Sequence, residues 1–421
     1  MMRSEQAQDP TAVPTILDST LREGEQFAGA FFTFEQRLAI ARLLDAVGVA
    51  FIEIPSPIVS GQARQTAYAL CEIGLHAHIV AHVRCVKADI EAALDTPVFG
   101  LNLFYGTSVP LRTFSHGRDI DRIIADAVPL IHRIRAAGRY VRFSAEDAFR
   151  SDLVDLLTVF DAVVEAGVQR IGLPDTVGIA TPHQVEQLVR LCTERYPHVG
   201  IEFHGHNDLG CAIANTAAAL EAGADCLDVT VMGIGERNGI ASLSGLIAHL
   251  YFHYPELAAQ YDLTQVAPLD RFVADCLNLP IPFNAPITAP SAFTHRAGVH
   301  TKAVLRNPHS YEVLDPADFG LARYVDTGSR FTGRHAVGHR AATLGLHLSD
   351  EEIGNLTSAL RERAERGSLS QEEVDAFIAT YYVTDRLSEA RTQFMPSRLP
   401  EPQARMQSVG SRNADPVAGS E

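Results

Sequence analysis

A chain of 421 residues, 46% hydrophobic and 20% charged, has the composition of a folded protein large enough for one α/β domain and a smaller appendage. Its formal net charge of −16 argues against a binder of nucleic acid or of anionic membranes, which needs a basic patch to displace counterions. The six cysteines lie singly, without a CxxC pair, which argues against a thiolate zinc site or a disulfide framework. No apolar run approaches the roughly 18 residues of a membrane span, and a cytoplasmic location is expected.

In chain order, residues 1–14 read as an N-terminal extension. From Thr15 onward short β-branched or apolar runs alternate with longer amphipathic stretches, the pattern of a parallel sheet with helical crossovers. The expected strands are TILDST (15–20), FIEIPSP (51–57), HAHIVAHVRC (76–85), FGLNLFYG (99–106), YVRFSAED (140–147), RIGLPDTVG (170–178), GIEFHGHND (200–208) and CLDVTVMGIG (226–235). Between them lie helix-like segments, among them 33–47, which opens with a Thr33-x-x-Gln36 capping box, and the alanine-rich 212–222. Eight such units in about 240 residues predict an α/β fold of the (β/α)8 TIM-barrel type over 15–275. An open doubly wound sheet is disfavoured because no GxGxxG follows the first strand. After the barrel, 280–345 reads as a small mixed subdomain, 346–385 as C-terminal helices with a Ser349-x-x-Glu352 cap, and 389–421 as a polar, disordered tail.

In such a barrel the polar residues at the C-terminal strand ends converge on one mouth. Strand 1 ends in Asp18 to Glu25, strand 2 carries Glu53, strand 3 His82 and strand 4 Asn102. Strand 5 carries Arg142, Ser144 and Glu146, strand 6 Asp175 and Thr176, and strand 7 Glu202, His204, His206, Asn207 and Asp208. His204 and His206 are two apart on one strand and face the same side, so with one carboxylate they can hold Mn²⁺, Mg²⁺, Zn²⁺, Co²⁺ or Fe²⁺. Arg22 and Arg142 beside apolar strand segments require anionic partners: either carboxylates such as Glu25, Glu53 and Glu146, or a substrate carboxylate held by a bidentate grip.

The segments DSTLREGEQFAGAFF (18–32), RFSAEDAFRSDLVDLL (142–157), HGHNDLGCAIANTAAALEAGA (204–224), GIGERNGI (233–240) and FTHRAGVHTKAV (293–304) resemble the homocitrate synthase family, acyltransferase barrels that also include isopropylmalate synthase. The resemblance runs from about residue 15 to 380. It implies Glu23, His204 and His206 as ligands of a divalent metal (Mn, Mg, Co or Zn), and Arg22, His82, Arg142, Ser144 and Thr176 as contacts of a 2-oxo acid. Glu53 and Asn102 are counted with these contacts by position. Glu146, His300 and Tyr311 are implied as the base system that deprotonates the co-substrate acetyl-CoA. In the family the segment bearing His300 and Tyr311 crosses over a partner subunit's active site, so a domain-swapped homodimer is implied.

The pocket departs from the family at three places: Asn102 stands where the family has aspartate, Ile54-Pro55 replaces Leu-Thr, and Leu173-Pro174 replaces Ile-Ala. The family aspartate holds the ammonium of lysine, so insensitivity to lysine is expected. One negative charge fewer also fits a more anionic acceptor such as oxaloacetate, phosphonopyruvate or phosphinopyruvate. A hydroxymethylglutaryl-CoA lyase is disfavoured because the loop Gly233 to Gly239 contains no cysteine, and a non-catalytic binding protein because the complete metal and base set is present.

Overall fold

The computed structural model describes residues 13–384; most of the expected N-terminal extension and the expected tail lie outside them. Two compact units are present, one formed by 13–294 with 309–324, the other by 295–308 with 325–384.

The larger unit is a closed, all-parallel barrel in the order β1-β2-β3-β4-β5-β6-β7-β8. Its strands are β1 (Thr15–Asp18), β2 (Phe51–Pro55), β3 (His78–Arg84), β4 (Gly100–Gly106), β5 (Tyr140–Glu146), β6 (Arg170–Asp175), β7 (Gly200–Gly205) and β8 (Cys226–Val229). The crossovers are α1 (Phe34–Val47), α2 (Gly61–Glu72), α3 (Lys87–Leu94), α4 (Ile120–Ala136), α5 (Leu153–Glu165), α6 (Pro182–Arg195) and α7 (Ala212–Glu221), and α8 (Leu243–His253) follows β8. The expected strand from Cys226 stops at Val229, because Met232 (φ 56°) and Gly233 (φ 71°) turn the chain through the left-handed region, where no strand continues.

The period of two sorts the barrel interior into layers. Leu17, Val80 and Cys226, with Phe51 and Tyr140 packed on them, form an apolar floor. Two residues further along the same strands come Glu53 on β2, His82 on β3, Arg142 on β5 and Asp228 on β8; Asn102 and Glu202 stand beside Arg142 and Cys226 in register. Next are Ser144 and His204, then Glu146. Gly172 on β6 pairs with Ser144, and a Cβ there would run into the Ser144 hydroxyl, so the absence of a side chain makes room for it. Outside the strands, fully buried residues such as Ile40, Leu44, Ile123, Ile131, Val159 and Phe160 join the helices to the sheet in one continuous core.

The smaller unit contains α9 (Gly298–Arg306), α10 (Arg334–Thr343), α11 (Asp350–Ala364) and α12 (Gln371–Thr384). Its own core is built from Val337, Ala341, Leu356, Leu360, Val374, Phe377, Ile378 and Tyr381. No helix among the described residues is long and apolar enough to cross a membrane.

Candidate active site

A cleft of about 730 Å³, part of it open to solvent, lies at the C-terminal mouth of the barrel. Arg22, Glu23, His82, Arg142, Ser144, Glu146, Thr176, His204 and His206 line it, so nine sequence-selected residues from five strands or the loops after them share one wall. Glu53 and Asn102 lie directly behind, 0% and 1% exposed. Tyr311 belongs to the same unit, half exposed in segment 309–324, and does not line this cavity. His300 stands on α9 of the other unit.

Glu23, His204 and His206 each offer a ligand atom, and these atoms lie within 4.8 Å of one another. His204 Nδ1 is 2.6 Å from Asp228 Oδ2. A carboxylate only accepts, so the proton sits on Nδ1 and the Nε2 lone pair is left for a ligand. Asp228 is itself fixed by the Ser19 hydroxyl, which donates to its other oxygen at 2.6 Å. His206 is held as neutral imidazole: burial, then the neighbouring His204, pushes its pKa down to about 3. Its Nδ1 is buried without a partner, and its Nε2 lies 3.9 Å from Glu23 Oε1. Burial alone would raise the Glu23 carboxyl, but Arg22 and the two histidines hold it below the usual range. A neutral imidazole at His206 and an ionised carboxylate at Glu23 are states that a cation requires.

The surrounding charges point the same way. Arg22 donates from Nε to Glu53 Oε2 and from Nη1 to Glu23 Oε2, both at 2.6 Å, and its Nη2 lies 3.8 Å from Asp228. Arg142 Nη2 is 3.2 Å from Glu53 Oε1, and Nη1 pairs with Glu202. Four carboxylates (Glu23, Glu53, Glu202, Asp228) thus face two guanidiniums (Arg22, Arg142) in a buried network. The carboxylates outnumber the guanidiniums, an arrangement that suits a bound cation. The donor set, the unpartnered His206 nitrogen and the excess of carboxylates fit a divalent metal.

Both arginines find Glu53, one of the carboxylates expected from sequence, whereas Glu25 pairs with Arg37 instead, at 2.6 Å. Glu53 is fully buried, yet Arg22, His82 and Arg142 hold it ionised, well below the usual carboxylate range. Asn102 Nδ2 donates to Glu53 Oε1 at 2.6 Å. His82 stacks on Phe104 with ring centroids 4.4 Å apart, and burial, outweighing the attraction of Glu53, lowers its pKa. Arg142 Nε is a buried donor without a partner. At the rim, burial and then Asp147 and Glu236 raise the Glu146 carboxyl, which suits a proton carrier. The Thr176 hydroxyl accepts from the Asp147 amide at 2.9 Å.

Sequence reasoning gave no role to Asp228, Glu202, Glu236 or Arg237. Asp228 carries a signal in retrospect, as the second residue after Cys226 on the inner face of β8.

Fold and site together define a (β/α)8 barrel with a candidate divalent-metal centre at its catalytic mouth. Residues 13–273 match the family described as HMGL-like, and 287–368 the one described as homocitrate synthase post-HMGL domain-like. The chain is 46% identical over 368 residues to the cytosolic homocitrate synthase isozyme of Saccharomyces cerevisiae, covering 87% of this chain and 86% of the relative. It is 47% identical over 369 residues to the mitochondrial homocitrate synthase of Schizosaccharomyces pombe (87% and 88%), and 39% identical over 351 residues to the homocitrate synthase of Sulfolobus acidocaldarius (82% and 74%). The solved hydroxymethylglutaryl-CoA lyase of Pseudomonas aeruginosa shares the fold, with TM-score 0.57 at 19% identity over 65% of this chain and 96% of that one. The chain belongs to the homocitrate synthase family of enzymes.

Proposed function

We propose that the protein condenses acetyl-CoA with a 2-oxo acid bearing a distal anion, 2-oxoglutarate to homocitrate in the first instance. The observation that carries this is the Glu23–His204–His206 cluster on the same cavity wall as Arg142, whose Nε is a donor still to be satisfied. Glu23, His204 and His206 would hold a divalent metal, Mn²⁺, Mg²⁺, Co²⁺ or Zn²⁺, which would supply Lewis acidity to the keto carbonyl. Arg22 and Thr176 orient the C1 carboxylate, while Arg142, Ser144 and His82 receive the distal anion. The base system of Glu146, His300 and Tyr311 takes a proton from the acetyl methyl; the enolate carbon then bonds to the keto carbon as the C=O π pair moves onto oxygen, the alkoxide takes up a proton, and water cleaves the thioester and releases CoA as its thiol. Two copies assemble so that His300 and Tyr311 of one act at the mouth of the other. A rim of exposed apolar residues around the mouth supports assembly: Phe31, Val59, Phe114, Val154 and Leu209 are 64%, 71%, 88%, 72% and 67% exposed. A cytoplasmic location is part of this proposal; the relatives include both a cytosolic and a mitochondrial enzyme.

Asn102 favours one further reading, an acceptor with more negative charge, such as oxaloacetate, phosphonopyruvate or phosphinopyruvate. Its amide donates to Glu53 where the family aspartate would add a charge.

The test is CoA release from acetyl-CoA and 2-oxoglutarate before and after metal stripping. Chelation should abolish it and Mn²⁺, Mg²⁺ or Co²⁺ restore it, with His204→Ala inactive. Full activity in the stripped protein would overturn the metal assignment.

A further inference from the structure

The loop between β8 and α8 is bent into an unusual path. Met232, Gly233, Arg237 and Gly239 all have left-handed φ, at 56°, 71°, 56° and 69°. Glycine adopts this region freely, but an arginine there is strained, and strain of this kind persists where surrounding contacts fix it. Those contacts are on the Arg237 side chain. Its Nε donates to Asp208 Oδ1 at 2.8 Å, and its Nη2 to Asp208 Oδ2 at 3.0 Å and to the Thr176 carbonyl at 2.7 Å. Asp208 lies two residues past His206, and Thr176 directly follows β6, so one guanidinium ties the β8 loop to the loops after β6 and β7.

The tie bears on Glu23. The Glu236 amide donates to Glu23 Oε1 at 2.8 Å. A Cβ on Gly235 would stand 2.7 Å from the same oxygen, so the loop backbone lies flat on the carboxylate. Oε1 is the oxygen that faces His206 Nε2, while Arg22 holds Oε2. The carboxylate rotamer is therefore set from both sides, by Arg22 and by the β8 loop. The Arg237 side chain is 38% exposed, and an ion pair so exposed adds little to global stability by itself. Its effect lies in the backbone it pins.

We propose that the Arg237–Asp208 pair is a latch that holds the β8 loop closed and, through the Glu236 amide, fixes Glu23 in the orientation that ligates the metal. Arg237 and Asp208 are thus positioning residues. The inference rests on the metal reading of the Glu23 cluster, and its test separates the two.

Mn²⁺ affinity is measured by calorimetry on full-length parent, Arg237→Gln, Arg237→Gly and Asp208→Asn, with amide hydrogen exchange over 231–240 recorded on the metal-free proteins. Loss of a group that orients a metal ligand typically weakens binding 10- to 100-fold. Each variant should show at least a tenfold rise in Kd and faster exchange at the Glu236 amide, while the double variant Arg237→Gln/Asp208→Asn is no worse than either single. Arg237→Gly relieves the left-handed strain yet should fail like Arg237→Gln, because the tether is lost. Parental Kd and parental exchange in Arg237→Gln, or in Asp208→Asn should the former not fold, would overturn the latch. Parental behaviour of Arg237→Gly would overturn it too, showing that only the backbone conformation matters. Absence of Mn²⁺ binding by the parent would overturn the metal reading, and the exchange data would still decide the latch.

Discussion

At the scale of single residues, the barrel places Asp18 where ionisation works against folding. The residue is fully buried; one carboxylate oxygen accepts from the Thr20 amide at 2.8 Å and the other has no partner. Burial above all, with Asp228 and Asp270 nearby, raises its pKa from 3.8 to about 7, against the pull of Thr20 in the other direction. The folded state therefore binds more protons than the unfolded state across this window, and the contribution of Asp18 to stability, full below about pH 4, is lost as pH rises toward 7. Asn at this position keeps the acceptor for the Thr20 amide and cannot ionise. Asp18→Asn should raise the Tm relative to the parent by an amount that grows from pH 5 to 7 and then levels off. Each pKa unit corresponds to about 1.4 kcal/mol, which bounds the gain at roughly 4 kcal/mol at pH 8. Parallel Tm profiles of the two proteins across this range would show that Asp18 does not carry the effect. The same scale separates what was legible in the sequence from what was not. The inward pairing of His204 and His206 follows from strand alternation alone. The partnership of His204 with Asp228 joins residues 24 apart on neighbouring strands, and nothing local marks it.

At the scale of elements, local chemistry was readable wherever a motif is completed within one turn. The capping box at Thr33 forms as its spacing requires, the Gln36 amide donating to Thr33 Oγ1 at 3.2 Å and the Thr33 amide to Gln36 Oε1 at 2.8 Å. Ser349 and Glu352 do the same, and so do Thr181 and Gln184, a box of the same T-x-x-Q form that begins α6. Strand ends were less legible, because termination depends on the next turn. TILDST yields a strand only to Asp18, since Ser19 O is then taken by the amides of Arg22, Glu23 and Gly24. Those bonds swing Arg22 and Glu23 into the cavity, so the shortened strand creates the site. Thr33 is exposed and caps a helix packed on the barrel, so Thr33→Ala should remove the cap and nothing else, at about 1 kcal/mol. For a unit of this size that is roughly 1–2 °C in Tm. An unchanged melting curve would mean that the first turn of α1 is held by packing instead.

At the scale of the whole molecule, the barrel gathers strand ends distant in sequence into one charged chamber, and the chamber should select the acceptor. Arg142 is not left waiting for a substrate as an unpaired charge: Glu53 and Glu202 flank it, and only its Nε donor is unsatisfied. A distal anion would engage that donor together with the Ser144 hydroxyl, which lines the same cavity. A purely aliphatic end, as in 2-oxoisovalerate, would leave this already buried donor without a partner and cover the charged network with apolar surface. A hydrogen bond to a charged group contributes about 1.5–3 kcal/mol, and the desolvation of the network adds to it, so kcat/KM for 2-oxoisovalerate should fall on the order of a hundredfold below that for the best anionic acceptor. CoA release with 2-oxoglutarate, oxaloacetate, phosphonopyruvate and 2-oxoisovalerate, compared side by side, measures this. Arg142→Lys is the informative variant because it keeps the charge that Glu53 and Glu202 require while removing the fork; Arg142→Ala would leave both carboxylates uncompensated and confuse selectivity with folding. The lysine variant should lose most of the preference for anionic acceptors while remaining folded. If 2-oxoisovalerate matches the anionic acceptors in the parent, or Arg142→Lys keeps the parental ranking, then Arg142 does not choose the substrate and the distal-anion reading of this chamber falls.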